Sequence, residues 1–298
     1  MDADLDLLLT TVYCMADDFL PKPKPNARRQ LTDAEIITLC VAQAIMGIPS
    51  DDRFVRTARY RLGGMFAVIP SRDAFHKRRA RACEQLEAMI AVIARESPGF
   101  TDDLLLVDST PIESARSVET VKRGGASSLA DALTDAADYG YCASHSRLFY
   151  GFRLHALFAP DGTPRALALT SPKIDEKTVC LQMLQRLERD GDRCLMVIGD
   201  KNYRGKQFET DAAALGASIQ RPRRKDETGP GPHLAPIRQR IESIFWTFKD
   251  TLTLERHGAR TLHNLRARLS ARFAALAAAV MINHWLNRPT RSLAPYVI

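Results

Sequence analysis

The sequence lacks an apolar run long enough to cross a bilayer. A spanning helix needs about 20 largely apolar residues, and the stretch around Ala274–Ile282 falls well short of that. No basic residue precedes Lys22, and Asp2, Asp4 and Asp6 stand where an export signal would carry Lys or Arg. Neither a membrane span nor export is therefore expected. There is no Cys-x-x-Cys pair. Cys14, Cys40, Cys83, Cys142, Cys180 and Cys194 are scattered, and the lone Cys142-x-x-His145 is too little for a zinc site, so buried free thiols in a reducing cytoplasm are expected. Internal repeats are also missing. At 45% apolar and 26% charged residues, disorder and collagen-like structure are excluded.

What is present is a basic chain of 298 residues, long enough for one large domain or two ordinary ones. Its 42 Lys and Arg against 35 Asp and Glu leave a net charge of +7, which raises nucleic acid as a partner without establishing it. The first 100 residues read as almost entirely helical. Leu5, Leu8, Leu9, Val12, Ala16 and Phe19 recur at helical spacing, and the helix ends at Pro21. Thr32-Asp33-Ala34-Glu35 forms a capping box before a buried stripe from Ile36 to Met46, and Asp51 to Arg61 and Ser71 to Arg95 read as two further helices. From Asp103 the pattern changes to short apolar runs bounded by turn residues. Leu104 to Val107, Tyr150 to Phe158, Arg165 to Leu169, Cys194 to Ile198 and Ala217 to Gln220 read as strands. Helices are expected at 176–189, 206–215, 237–251 and 263–285, so the class is α/β. The stretch 113–147, rich in Gly, Ser and Ala, reads as a long loop.

Two apolar strands end in a carboxylate, Leu104-Leu105-Leu106-Val107-Asp108 and Cys194-Leu195-Met196-Val197-Ile198-Gly199-Asp200. An ionised Asp at the end of a buried strand needs a partner, although strand-end Asp also serves as a turn former or helix cap. The third element is the helix around Ile237, Ile241, Ile244 and Phe248, whose stripe must face the core. Arg238, Glu242 and Lys249 project from one side of it, either as a solvated face with an i,i+4 pair or as a functional set. Trp246, one turn beyond Glu242, is either a core residue or a platform for an unpaired base.

Taken in order, Asp108, Asp200 and Glu242 with flanking Arg238 and Lys249 resemble the DDE-type transposases of bacterial insertion sequences. Val107-Asp108-Ser109-Thr110-Pro111-Ile112, Phe149-Tyr150-Gly151-Phe152-Arg153-Leu154-His155 and Gly199-Asp200-Lys201-Asn202-Tyr203-Arg204 look like that family's motifs, and Arg238, Glu242 and Lys249 match the R-x3-E-x6-K part of its glutamate signature. Two departures stand out. Some members carry Tyr three residues before the Arg, where this chain has Ala235. Asn202 stands where relatives often have Gly, and it is expected to keep the turn by taking a left-handed conformation.

The resemblance implies a ribonuclease H-like catalytic domain over 101–298, with a mixed sheet and helices on both faces, preceded by a helical region over 1–100 that binds the DNA ends. It implies that Asp108, Asp200 and Glu242 bind two Mg²⁺ or Mn²⁺ ions and catalyse cleavage at element ends and strand transfer into target DNA. It further implies double-stranded DNA as partner, a homodimer on DNA, and a cytoplasmic, nucleoid-associated protein. A DNA-binding relative without catalysis and a metal-dependent nuclease without strand transfer are the alternatives. Phosphate contacts are expected from Arg238, Lys249, Lys201, Arg204, Arg78 and Arg79, and more broadly from basic clusters at 72–81, 221–225 and 256–272. His145 and His155 are left out of the site, His155 as a hydrogen-bonded packing residue in a strand.

Overall fold

A computed structural model describes residues 3–22, 29–115, 137–142, 147–189, 191, 193–224, 226–227 and 231–297. Helices α1 (Ala3–Phe19), α2 (Asp33–Ile45), α3 (Asp51–Arg61), α4 (Arg72–Arg81) and α5 (Cys83–Ala94) come first. Strands β1 (Leu104–Ala115), β2 (Asp138–Cys142), β3 (Arg147–Phe158) and β4 (Pro164–Thr170) follow. Then come α6 (Glu176–Arg186), β5 (Leu195–Ile198), α7 (Lys206–Ala214), β6 (Ala217–Gln220), α8 (Ala235–Lys249) and α9 (Leu262–Trp285). None of these helices is long and apolar enough to cross a membrane. The chain divides into two compact units, Met1–Ser97 with Thr247–Ile298, and Pro98–Trp246.

In the helical unit the capping box of α2 forms as its sequence requires: the Glu35 amide donates to Thr32 Oγ1 at 3.1 Å, and the Thr32 amide donates to Glu35 Oε2 at 2.6 Å. The helix expected over Ser71 to Arg95 is two helices, because Ala82 at φ −86°, ψ 13° ends α4. The sequence assigns everything after residue 101 to one catalytic region, but α9 packs against α5, α2, α4 and α1. The cause lies in α9, buried on all sides from Leu265 to Asn283 except at Arg266. A helix buried around nearly its whole circumference needs helices around it, and α1, α2 and α5 each present a buried stripe.

Two expected phosphate contacts are bonded within this unit. Arg79 is 1% exposed and donates to Asp51 through Nη1 at 2.7 Å and Nη2 at 2.9 Å. Arg78 donates to the carbonyls of Leu31 at 2.8 Å and Thr32 at 3.2 Å and to Asp33 Oδ1 at 2.6 Å, fastening α4 to the start of α2. Sequence shows a run of positive charge; packing buries the Arg79 guanidinium, while Arg78, half-buried, is bonded within the protein. Four of the six thiols are buried, while Cys14 and Cys194 are exposed.

The sheet of the second unit runs β2-β3-β1-β5-β6, with β4 also paired to β3. It is mixed: β1 is parallel to β5 and β5 to β6, whereas β3 is antiparallel to β1, β2 and β4. On one face Leu105, Val107, Leu157 and Val197 pack with Val179, Cys180, Met183 and Leu184 of α6 and Phe208 and Ala212 of α7. On the other, Phe158 meets Phe245 of α8 edge-on, ring centres 6.0 Å apart. Within the expected loop 113–147, residues 116–136 and 143–146, with His145, lie outside the described residues. The part between them is β2, whose Tyr139 faces Tyr150 across the ladder at 5.1 Å, a cross-strand aromatic pair that stabilises a short edge strand. Gly151 sits where β1 bulges between Glu113 and Ala115, and a Cβ there would fall 2.2 Å from the Ile112 carbonyl oxygen. No larger residue fits.

Among the described residues Asp51 is the sole carboxylate bonded to two buried guanidiniums, since Arg268 Nη2 also donates to it at 2.7 Å. Burial raises the Asp51 carboxyl, but the hydrogen bonds and charge of Arg79, with Arg268 and Gln43, outweigh this and hold it well below the usual carboxylate range. Asp51→Ala should lower stability by about 3–5 kcal/mol in urea denaturation at pH 7, because it strands buried charge. With a depressed folded pKa, the stabilisation is full above about pH 4 and is lost on further acidification, so wild type and variant should converge there. A loss under about 1 kcal/mol at pH 7 would contradict this role.

Candidate active site

Asp108 and Asp200 are brought together by strand register. In the parallel ladder Leu104 pairs with Met196, Leu105 with Val197 and Leu106 with Ile198, so each aspartate lies two residues past the last rung. The sequence ends the first strand at Asp108, but β1 continues to Ala115, because β3 pairs with it through residues 106–115. β5 stops at Ile198. Asp108 therefore sits inside a strand whose β5 side has just opened. Pro111, which has no N–H, falls in that singly paired stretch.

The pleat decides which way Asp108 points. It lies two residues beyond Leu106, the partner of Phe158, and so shares the face on which Phe158 meets α8. Its Oδ1 accepts the Ser109 amide at 2.7 Å. Burial raises its carboxyl from 3.8 to about 7; the negative charges of Asp200 and Glu176 add to the shift, and the Ser109 amide and Arg238 oppose it.

Asp200 is held by the turn that follows it. Asn202 donates to it twice, from the backbone amide to Oδ1 at 2.7 Å and from Nδ2 to Oδ2 at 3.0 Å. The left-handed conformation expected of Asn202 is not adopted, since Thr253 and Asn287 are the positive-φ non-glycine residues among those described. The side-chain amide clamps the aspartate instead, and Arg224 fixes the clamp by donating to Asn202 Oδ1 at 2.8 Å. Gly199 admits the Tyr203 ring, as a Cβ there would lie 2.6 Å from it.

Two neighbours escaped the sequence reading. Glu176, at the first turn of α6, accepts from Ser109 Oγ at 2.9 Å and pairs with Arg153. Its position is that of an ordinary helix-start acid; the sequence signal for it is Arg153, inside the Phe149-to-His155 motif and needing an anion. Tyr203 is buried, with a hydroxyl that has no hydrogen-bond partner among the described residues. Burial pushes that hydroxyl well above its usual range, and the charges of Glu176, Asp108 and Asp200 push the same way.

Glu242 is not gathered with the aspartates. Its side chain is 61% exposed and pairs with Arg238 at 3.6 Å. Among the described residues no group of three His, Cys, Asp or Glu side chains is close enough to hold a metal ion. Arg238 is the residue of α8 whose charge reaches Asp108. Trp246 is 65% exposed, so it is not a core residue. Lys249 ends α8 in the helical unit. Lys201 is exposed, and Arg204 pairs with Asp226 at 2.9 Å. Of the basic cluster after β6, Arg221 is a bidentate partner of Glu227, and Lys225 lies outside the described residues. His155 is buried, shares a hydrogen bond with Thr170, and is kept neutral by burial, which lowers it to about 4.

An oxygen-only pair of carboxylates, with the proton affinity of Asp108 raised, suits a hard divalent cation, which relieves their repulsion. A family model for the transposase DDE domain matches residues 99–278. That is more than half of the chain, and the chain belongs to the transposase DDE domain family, a transposase in the broad sense. No curated protein matches it.

The raised Asp108 carboxyl sets a pH dependence. Because the folded protein binds this proton more tightly than the unfolded chain, ionisation destabilises the fold. The penalty is absent below about pH 4, grows up to about pH 7 and is full above it. At about 1.4 kcal/mol per unit, Asp108→Asn should be more stable than wild type by up to roughly 4 kcal/mol at pH 8 in chelator, and equal to it below pH 4. Equal urea midpoints at pH 8 would contradict the assigned shift.

Proposed function

We propose that this protein is an insertion-sequence transposase that cuts DNA at its element's ends and joins those ends to target DNA, using a ribonuclease H-like catalytic unit. One observation carries the reading: Asp108 and Asp200 lie level on adjacent parallel strands, on a sheet overlaid by the helix of Arg238 and Glu242. Membership of the transposase DDE domain family supports it. The mixed sheet with α6 and α7 on one face and α8 on the other supports the ribonuclease H-like assignment.

Asp108 and Asp200 would hold Mg²⁺ or Mn²⁺, with Glu242 joining them once it leaves Arg238. A bound pair of such ions activates the attacking oxygen and stabilises the leaving one. Asn202 and the Ser109 amide keep the two aspartates oriented. Water attacks the phosphodiester at the element's end, and the freed 3′-hydroxyl then attacks target DNA. Arg238, released from Glu242, grips a flanking phosphate, as do Lys201, Arg204 and Lys249. The exposed Trp246 offers a face on which an unpaired end base can stack. Because two ends must be joined, a homodimer on DNA is part of the proposal.

Asp108→Asn, Asp200→Asn and Glu242→Gln should each abolish end cleavage in single-turnover assays with end-labelled DNA, leaving DNA affinity unchanged or higher. Mg²⁺ or Mn²⁺ should support cleavage and Ca²⁺ little of it. Full activity of Glu242→Gln would rule out the three-carboxylate mechanism. Cleavage without joined products when target plasmid is present would reassign the protein as a nuclease, and DNA binding without cleavage would make it a non-catalytic relative.

A further inference from the structure

The helical unit encloses a pocket of about 590 Å³ whose wall includes Arg72, His76, Arg260, Thr261, Asn264 and Arg268. Three helices begin there. α3 and α4 start with acids, and α9 starts with none. Thr261 caps α9 by accepting the Asn264 amide at 3.2 Å, and the positive end of that dipole has no acidic residue in its first turn to offset it.

The acids on the wall are already engaged. Asp52 pairs with Arg56 at 2.6 Å, Asp73 with Arg72 at 2.8 Å, and Asp51 with Arg79 and Arg268, both at 2.7 Å. His76 Nδ1 lies 3.2 Å from Asp51 Oδ2. Behind the wall the charges do not balance. Arg79, Arg268 and Arg272 are each at most 5% exposed, yet among the described residues Asp51 is the one carboxylate bonded to any of them. Arg272 is bonded to carbonyls instead, those of Leu252 at 2.7 Å and Arg268 at 2.9 Å. Burial lowers Arg268 to about 10 and Arg272 to about 9, and repulsion among the guanidiniums adds to the effect. The buried Arg268 Nε has no acceptor among the described residues. At the mouth, Arg260 is exposed and has no carboxylate partner among them.

An excess of buried positive charge, an open helix start and an unpaired guanidinium at one concavity favour an anion. We propose that this pocket is a phosphate site that seats one backbone phosphate of DNA, with Arg260 as the direct contact. The choice of DNA rests on the transposase reading; the phosphate chemistry does not.

The test uses the full chain with Arg260→Ala, and Arg59→Ala on the exposed side of α3 as comparator. One arm measures duplex DNA affinity against salt without divalent metal. The other follows thermal stability with inorganic phosphate against chloride of equal ionic strength. Arg260→Ala should lower the slope of log affinity against log salt by about 0.9, and Arg59→Ala should leave it unchanged. Phosphate should stabilise wild type and not Arg260→Ala. Equal slopes for wild type and Arg260→Ala, with phosphate protection lost in the variant, would overturn the DNA assignment in favour of a free phosphate. Equal losses of slope in both variants would reduce Arg260 to diffuse attraction, and no effect in either arm would remove the site; both overturn the proposal. A protein that cleaves element ends with an unmoved slope fails here alone, while one that binds DNA but does not cleave fails only the catalytic reading.

Discussion

Three rungs of parallel ladder, Leu104 with Met196, Leu105 with Val197 and Leu106 with Ile198, govern the candidate site. Parallel pairing places two carboxylates nearly a hundred residues apart in the chain at one level, and the pleat assigns Asp108 to the face covered by α8. A one-residue slip of β1 would send Asp108 to the α6 side and Val107 toward α8, exchanging a buried apolar contact for a buried charge. The apolar residues that flank the aspartates therefore fix the chemistry as firmly as the acids do. Val107 and Val197 are both buried in the same core cluster.

The repulsion that this pairing creates is met partly by the protein. The Ser109 amide and Arg238 favour the charged form of Asp108, while burial, Asp200 and Glu176 favour the neutral one. Metal-free, the site is a compromise in which Asp108 titrates near neutrality. Glu176 is drawn off by Ser109 and Arg153, and Glu242 by Arg238. Each remaining acid thus has a local cation or hydroxyl, and Tyr203 stands beside the aspartates with its hydroxyl unbonded among the described residues.

Arginine ties the structure together in both units. In the helical one, Arg79, Arg268 and Arg272 are interior groups that tie α4 and α9 to Asp51 and to the loop after α8. Around the sheet, Arg153, Arg221 and Arg224 hold loops and acids in place. A guanidinium has five donors in a rigid fork, so it can satisfy several acceptors at once inside a fold as readily as it grips a phosphate. Positive charge in the sequence is for that reason a poor guide to where DNA would lie.

The local rules were legible from the residues alone. Thr32 and Glu35 announce a helix start, alternating and continuous apolar runs announce β3 to β6, and Asp108, Asp200, Arg238 and Glu242 stand out by type and order. β2 was hidden because Asp138-Tyr139-Gly140-Tyr141-Cys142 gains its stability from β3 and not from its own composition. The continuation of β1 past Asp108 was hidden for the same reason. That α9 belongs with the N-terminal helices, that Arg79 is buried and Trp246 exposed, and that Asn202 clamps Asp200 with its side chain were decided only by the tertiary structure. The burial of α9 and Arg79 depends on partners distant along the chain, as does the Arg224 contact that fixes Asn202, and the energy of a buried charge or an apolar stripe is set by what surrounds it, which spacing along one segment does not encode.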